Sequence, residues 1–133
     1  MEKTFVMIKP DGVRRGLMGE IIGRIEKKGF RITRAKLFRP SRALVEEHYK
    51  EHREKPFYEE LVTYILDGPV MAMEVEGESV IEAMRTMIGS TDPKEALPGT
   101  IRGDFAYSIT ENIIHGSDSA ASAERELKLW FDD

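Results

Sequence analysis

His115 has neighbours that suit covalent chemistry. It lies in the run NIIHGSDS, residues 112–119. A lone histidine is most often structural or simply exposed, but imidazole is also a competent nucleophile. Gly116 permits a close approach to the ring. The hydroxyl and carboxylate groups that follow it stand at a predicted helix start, where free N–H groups and the helix dipole favour an anion.

Three cationic residues could accompany such an anion. Lys9 lies in KPDG, residues 9–12, directly after an apolar run, so it can enter a site at the edge of a sheet. Arg102 lies in TIRGD, residues 100–104, and Arg85 precedes that segment on a predicted helix. Guanidinium forks match phosphate oxygens. Taken singly, each of these residues is more often a solvated surface charge.

The familiar nucleotide motifs are missing from the sequence. It contains neither G-x-x-x-x-G-K-[ST] nor G-x-G-x-x-G, so any nucleotide must bind without a P-loop or a Rossmann turn. His48 and His52 have the four-residue spacing of a helical metal pair, but charged residues surround them. We therefore interpret their helix as a solvated face and predict no metal ligand in the chain.

Composition narrows the class of protein. The chain has 133 residues with 41% hydrophobic and 33% charged, which predicts a single domain over residues 1–133. The absence of cysteine excludes disulfides, thiolate metal sites and cysteine nucleophiles. A net charge of −4 argues against a nucleic-acid partner. No apolar run suggests a secretory signal or a membrane helix, so we expect a cytoplasmic protein.

Hydrophobic periodicity predicts the elements. Strands are expected at residues 5–8, 30–38, 70–75 and 105–108. Helices are expected from Leu17 to Gly29, over residues 42–53 after a Ser41 cap, after Pro56, from Ser79 to Ile88, and after a cap at Asp118 or Ser119. Residues 9–12 are expected to form a turn and residues 89–105 a long loop.

This order predicts an α+β fold. It contains a ferredoxin-like βαββαβ core, with a four-stranded antiparallel sheet and helices packed on one face. Such a fold supports many functions, so it does not decide among them.

Six segments, taken in order, resemble the nucleoside diphosphate kinase family. The resemblance runs from about Thr4 to Phe131, and its most specific part is the run at residues 112–119. The other matching segments are residues 9–12, 48–49, 56–57, 68–70 and 98–105. Small departures occur at Tyr58, Met84 and Ile109, and none of them removes a catalytic group.

The resemblance implies a ping-pong kinase. The γ-phosphoryl group of a nucleoside triphosphate, usually ATP, would pass to His115 and then to a nucleoside diphosphate. Mg²⁺ would accompany the nucleotide and be held mainly by its phosphates. The residues implied to hold the phosphates are Lys9, Arg85, Thr91 and Arg102. Tyr49 would lie near the transferred group, and Lys9 and Asn112 would meet the ribose hydroxyls.

The resemblance also assigns the remaining site residues. Phe57 would stack on the base, in a slot lined by Leu61 and Ile109. Glu126 would orient the imidazole, and Ser117 would support Glu126. The partners implied are ATP, ADP, GTP, GDP and other nucleotides. Family members form homo-oligomers, and we expect a hexamer rather than a tetramer.

Two other functions fit the same fold. One is a regulatory nucleotide-binding protein that has lost catalysis, against which His115, Lys9 and Arg102 argue. The other is a single-stranded nucleic-acid-binding module. The strands lack the aromatic pattern of such modules, and the net charge is negative.

Overall fold

A computed structural model describes residues 1–131 of the chain. Its elements, in chain order, are β1 (Glu2–Ile8), α1 (Pro10–Arg14), α2 (Met18–Lys27), β2 (Arg31–Phe38), α3 (Arg42–His48), a 3-10 turn (Lys50–His52), α4 (Tyr58–Leu66), β3 (Val70–Gly77), α5 (Val80–Ile88), α6 (Ile101–Phe105), β4 (Ile114–Gly116) and α7 (Ala120–Phe131). Within residues 1–131, each helix is too short or too polar to cross a lipid bilayer.

The four strands form one antiparallel sheet in the order β2-β3-β1-β4. β3 lies between β1 and β2, which is the split arrangement of a ferredoxin-like βαββαβ core. The predicted α+β fold is therefore confirmed. β4 pairs with the end of β1, with Ile114 opposite Ile8 and His115 opposite Met7. This pairing brings His115 beside the end of the strand from which Lys9 emerges.

Helices cover both faces of the sheet, so the prediction of helices on one face is wrong. One core contains, from β1, α2 and α5, Val6, Ile8, Ile21, Ile25, Val80, Met84 and Ile88. The other contains, from β1, α3, α4 and α7, Phe5, Met7, Val45, Val62, Ile65, Leu127 and Trp130. The physical reason lies in β1, whose residues 5–8 are all apolar. A strand with apolar residues on both sides must bury both sides.

The predicted fourth strand at residues 105–108 is also wrong. Phe105 ends α6, and the fourth strand is β4, Ile114–Gly116. Three residues are too few for an alternating pattern to be visible. β4 exists because its backbone pairs with β1, and this contact is remote in sequence.

Two expected irregular segments contain short helices. The predicted turn at residues 9–12 is the start of α1, whose first residue is Pro10. Proline suits that position because its missing N–H would have no helical partner there. The predicted loop at residues 89–105 ends in α6. Thr100 caps α6, since its Oγ1 accepts the Gly103 N–H at 3.0 Å.

The helix caps are partly as predicted. Ser41 accepts the Leu44 N–H at 3.1 Å, and Ser119 accepts the Ser122 N–H at 3.1 Å. Ser79 precedes α5 but does not cap it with its side chain, and its φ of 48° is left-handed. The Glu2 carboxylate accepts the Ile81 N–H at 3.0 Å instead. The predicted helix over 42–53 ends at His48 and continues only as the 3-10 turn.

Candidate active site

The predicted site residues converge on one cavity of about 660 Å³. Those that line it are Lys9, Tyr49, Phe57, Leu61, Arg85, Thr91, Arg102, Ile109, Asn112, His115 and Glu126. Ser117 is buried and does not line the cavity, but it bonds to Glu126. Residues from both ends of the chain therefore meet at one place.

His115 is held in one orientation by a carboxylate. Its Nε2 lies 2.8 Å from Glu126 Oε1, and the Ser117 hydroxyl donates to the same oxygen at 2.7 Å. A carboxylate only accepts, so this network assigns the ring proton to Nε2. Nδ1 then keeps its lone pair on a side chain that is 21% exposed. This arrangement would suit a nucleophile with an orienting carboxylate.

Glu126 is ionised in this setting. Burial by itself would raise the pKa of its carboxyl, but the hydrogen bond and charge of His115 outweigh burial, and the net pKa lies below its ordinary value. The Ser117 hydrogen bond acts in the same direction. A negative charge therefore lies behind the imidazole, where it stabilises positive charge that develops on the ring.

His48 packs under His115, which corrects the prediction of a solvated charged face. Its side chain is 5% exposed, and the centroids of the two imidazole rings lie 4.8 Å apart, with the ring planes at 79°. Trp130 donates its indole N–H to His48 Nδ1 at 3.1 Å. Burial, and next the neighbouring His115, keep the pKa of His48 well below its ordinary value. His48 is thus neutral and packs beneath the His115 ring.

Ligand atoms of His48, His115 and Glu126 all lie within 4.8 Å of one another. Such a set could hold a metal ion. However, His48 Nδ1 accepts the Trp130 N–H, and His115 Nε2 is bonded to Glu126. A metal would have to displace these hydrogen bonds, so the geometry favours an orienting network over a metal centre. His52 is not a member of this group.

Lys9 is a buried amine at the end of β1. Its side chain donates to Asn112 Oδ1 at 2.8 Å, and its backbone N–H donates to Ile113 O at 2.7 Å. Burial, and then the positive charge of Arg102, lower its pKa to about 7, against a smaller opposing effect of Asp11. An anion placed beside Lys9 would restore the charge that burial penalises.

Arg102 is fixed by backbone carbonyls. Its guanidinium donates to the oxygens of Gly89, Asn112 and Ile114, at 3.1, 3.4 and 2.7 Å. Burial, and then Arg85, lower the pKa of Arg102 to about 10 despite the opposing effect of Tyr49. These bonds tie α6 to β4 and to the end of α5.

A strained residue lies between these groups. Ile113 has a φ of 77°, a left-handed conformation that a β-branched side chain rarely adopts. Such strain costs about 1–3 kcal/mol and persists where surrounding contacts demand it. Here the Lys9 N–H bonds to the Ile113 oxygen, and the Asn112 oxygen accepts from Ile114 N–H at 2.8 Å. The kink directs Asn112 to Lys9 and starts β4.

The far end of the cavity is apolar and open. Phe57 and Ile109 are 46% and 59% exposed, and Leu61 follows Phe57 by one helical turn on α4. The Lys55 ammonium lies 5.6 Å from the centroid of the Phe57 ring. Exposed aromatic and aliphatic groups that face a cavity form a slot for a flat apolar ligand.

The cavity is also lined by residues that the sequence analysis does not assign to the site. These are His48, Glu51, His52, Glu60, Thr110, Gly116, Asp118, Ser122 and Arg125. A signal existed for His48, because it lies three residues after the buried Val45 on α3. For Glu60 and Thr110 the sequence has no local signal, since their proximity arises from the fold.

A comparison with known proteins identifies the family. A family model described as "Nucleoside diphosphate kinase" matches residues 2–133. A nucleoside diphosphate kinase of Exiguobacterium sibiricum is 63% identical over 131 residues, covering 98% of this chain and 95% of that protein. One from a strain of Thermus thermophilus is 62% identical, covering 98% of this chain and 96% of that protein.

Solved structures agree. The apo crystal structure of the nucleoside diphosphate kinase from Encephalitozoon cuniculi has a TM-score of 0.97 at 44% identity, covering 100% of this chain and 90% of that one. A halophilic nucleoside diphosphate kinase from Halobacterium salinarum, in complex with CDP, also has a TM-score of 0.97, at 48% identity, covering 99% and 88%. The chain belongs to the nucleoside diphosphate kinase family, whose members are enzymes that transfer phosphoryl groups between nucleotides.

Proposed function

We propose that His115 Nδ1 carries the phosphoryl group that this enzyme transfers. The observation that supports the proposal is the bond between His115 Nε2 and Glu126, which leaves Nδ1 as the nucleophilic nitrogen. The Nδ1 lone pair attacks the γ-phosphorus of a nucleoside triphosphate, and the bond from that phosphorus to the β–γ bridging oxygen breaks. The diphosphate leaves with the bond electrons. A second diphosphate then attacks the phosphohistidine, and the P–N bond electrons return to the ring.

Each protein group has a distinct role in this step. Phosphoryl transfer depends mainly on positioning and charge stabilisation. Lys9, Arg85 and Arg102 supply positive charge to the phosphates, and Thr91 supplies a hydroxyl. Tyr49 lies near the transferred group, and burial raises the pKa of its phenol, so it acts as a neutral donor. Glu126 stabilises the charge that develops on the imidazole, and Ser117 holds Glu126.

Asn112 has two roles in the proposed complex. Its side-chain oxygen holds the Lys9 ammonium, and its amide group is available to the ribose hydroxyls. Lys9 contributes to the same ribose contacts.

Mg²⁺ enters with the nucleotide. Magnesium prefers oxygen ligands, commonly from substrate phosphates. The residues proposed to hold the phosphates are chiefly cationic nitrogen donors, which do not ligate a metal cation, so phosphate oxygens would be the main ligands of the ion. When bound, the ion neutralises part of the charge on those oxygens.

The substrates are nucleoside di- and triphosphates, including ATP, ADP, GTP and GDP. The base would stack on Phe57 between Leu61 and Ile109, and stacking accepts any base because each has a π-face. The Halobacterium salinarum relative is solved in complex with CDP, which supports nucleoside diphosphates as ligands of this enzyme.

The assembly and location are further proposals. We propose a homo-oligomer, a hexamer rather than a tetramer, in the cytoplasm. Membership of the nucleoside diphosphate kinase family supports this proposal. Sedimentation equilibrium should give about six times the chain mass of 15.2 kDa. A mass near four times that value would contradict the hexamer.

Intact mass spectrometry tests the mechanism. After brief incubation with ATP and Mg²⁺, the wild type should gain one acid-labile phosphoryl group and lose it when GDP is added, as GTP appears. His115→Ala should do neither. Circular dichroism and retained ADP binding would exclude misfolding. A phosphoryl group that persists on the variant would contradict the role of His115.

A further inference from the structure

We infer that Glu60 makes this enzyme favour nucleobases that carry an amino group over uracil and thymine. The inference rests on the proposed function, because it requires the base to lie in the slot beside Phe57. Glu60 lies outside the group of residues proposed to carry out phosphoryl transfer. Its inferred role is to set the order of preference among acceptor nucleotides.

Glu60 is part of the wall of the proposed base slot. Phe57, Glu60 and Leu61 lie at positions i, i+3 and i+4 from the N-cap of α4 onward, so they share one helical face. All three line the cavity. Neighbouring Glu59 does not line it and is paired with Arg42 on the outside of the molecule.

Thr110 holds Glu60 from the opposite wall. Its hydroxyl donates to Glu60 Oε1 at 2.9 Å, and it follows Ile109, which also lines the slot. The hydrogen bond joins α4 to the segment that leads into Asn112. A carboxylate has about four lone-pair sites, so one bond from Thr110 leaves acceptor capacity for a ligand. The carboxylate is thereby held at the slot with lone pairs to offer.

Charge makes that acceptor selective. A carboxylate can accept the amino N–H of adenine or cytosine, and the adjacent N1–H and N2–H groups of guanine. Uracil and thymine offer a single ring N–H flanked by two carbonyl oxygens, whose lone pairs face the carboxylate unfavourably. Two other charged side chains lie close to this wall. Glu51 also lines the cavity, and the Lys55 ammonium lies over the Phe57 ring.

CDP and UDP test this inference most directly, because they differ only at the 4-amino or 4-oxo position and at N3. The phosphohistidine form should be prepared with ATP, separated from nucleotide, and discharged with each acceptor. For the wild type, kcat/KM should favour CDP over UDP by about threefold to tenfold, the effect of one exposed charge-assisted hydrogen bond. GDP and ADP should resemble CDP.

Glu60→Gln should remove most of this preference, since a carboxamide can also donate to the 4-oxo group. Glu59→Gln, with the same change of charge one position away, should keep the wild-type ratio. Thr110→Val should reduce the ratio partially, because it frees the carboxylate without removing it.

Equal kcat/KM for CDP and UDP in the wild type would overturn the inference, as would a wild-type ratio retained in Glu60→Gln. A wild type that forms no phosphohistidine would overturn the proposed function as well. Measuring the phosphohistidine first therefore separates a failure of the proposed function from a failure of the base preference alone.

Discussion

The two ends of the cavity are built in opposite ways. At the proposed phosphate end, Lys9 and Arg102 are buried and held by an amide oxygen or by backbone carbonyls, and His115 is held by Glu126. At the proposed base end, Phe57 and Ile109 are about half exposed. A hydrogen bond between two side chains, rather than a backbone network, joins the walls there.

This difference follows from what varies among substrates. Every nucleotide presents the same phosphates, so donors and charges fixed before binding need no reorganisation during transfer. The base differs from one nucleotide to the next, and a stacking surface tolerates the change. Fixed geometry therefore lies where the chemistry is constant, and an open surface lies where the ligand changes.

Neutralising the orienting carboxylate should have the largest effect, because it acts at the fixed end. In Glu126→Gln the charge behind His115 is lost while the side-chain shape is kept. We expect kcat to fall about 100-fold for every nucleotide, as for other groups that orient a reactive imidazole. Steady-state kinetics with ATP and GDP measures this. The exposed Glu124→Gln serves as the matched control and should be unchanged. A kcat for Glu126→Gln within twofold of wild type would contradict the role.

Removing the stacking ring should have a smaller effect of a different kind. Phe57→Ala should raise KM for all diphosphates about tenfold, since base stacking is worth about 1–3 kcal/mol. The kcat should change less, because the phosphate end is intact. Phe57→Leu should be intermediate. A uniform loss of kcat in Phe57→Ala, like that of Glu126→Gln, would show that the two ends do not act separately.

The pKa of Lys9 predicts the smallest effect, a proton taken up on binding. In the free enzyme this pKa is lowered to about 7, so near pH 8 the amine is mostly neutral. Nucleotide phosphates favour the ammonium and raise the pKa, so binding of ADP should take up close to one proton. Calorimetry in buffers of different ionisation enthalpy measures this uptake.

The same shift affects folding with a defined sign. Unfolded lysine has an ordinary pKa of 10.5, so between about pH 7 and 10.5 the unfolded chain holds the extra proton. The contribution of Lys9 to the free energy of unfolding therefore rises with pH across that window and is lost as the pH falls through 7.

Lys9→Met should abolish the proton uptake on ADP binding, whereas substitution of the exposed Lys3 should not. Equal uptake in Lys9→Met would assign the proton to another group.

The phosphate end is largely predictable from sequence. Lys9 follows a continuous apolar strand, and His115 lies among glycine, hydroxyl and carboxylate residues. Such signals are short and local, so they can be recognised without knowledge of the fold. The resemblance to the family supplies the remaining roles, including that of Glu126. The cavity brings these residues together, and their individual roles in catalysis stay predictions.

Where prediction fails, the cause is a contact between segments far apart in sequence. The pattern places the fourth strand at residues 105–108, because β4 has only three residues and depends on pairing with β1. The pattern predicts a solvated His48, because Trp130 and His115, which bury it, lie far along the chain. The pattern predicts Ser79 as the N-cap of α5, although the Glu2 carboxylate accepts the Ile81 N–H of that helix instead.

The sequence by itself determined the chemical inventory: no thiol, three histidines, a lysine after the first strand, and arginines near a predicted loop. It also determined the α+β order of elements, since hydrophobic periodicity is a property of the local sequence. Only the tertiary structure decided which nitrogen of His115 is free, that His48 lies beneath it, and that Thr110 reaches Glu60. These features depend on non-covalent contacts between remote residues, and such contacts leave no period or motif in the local sequence.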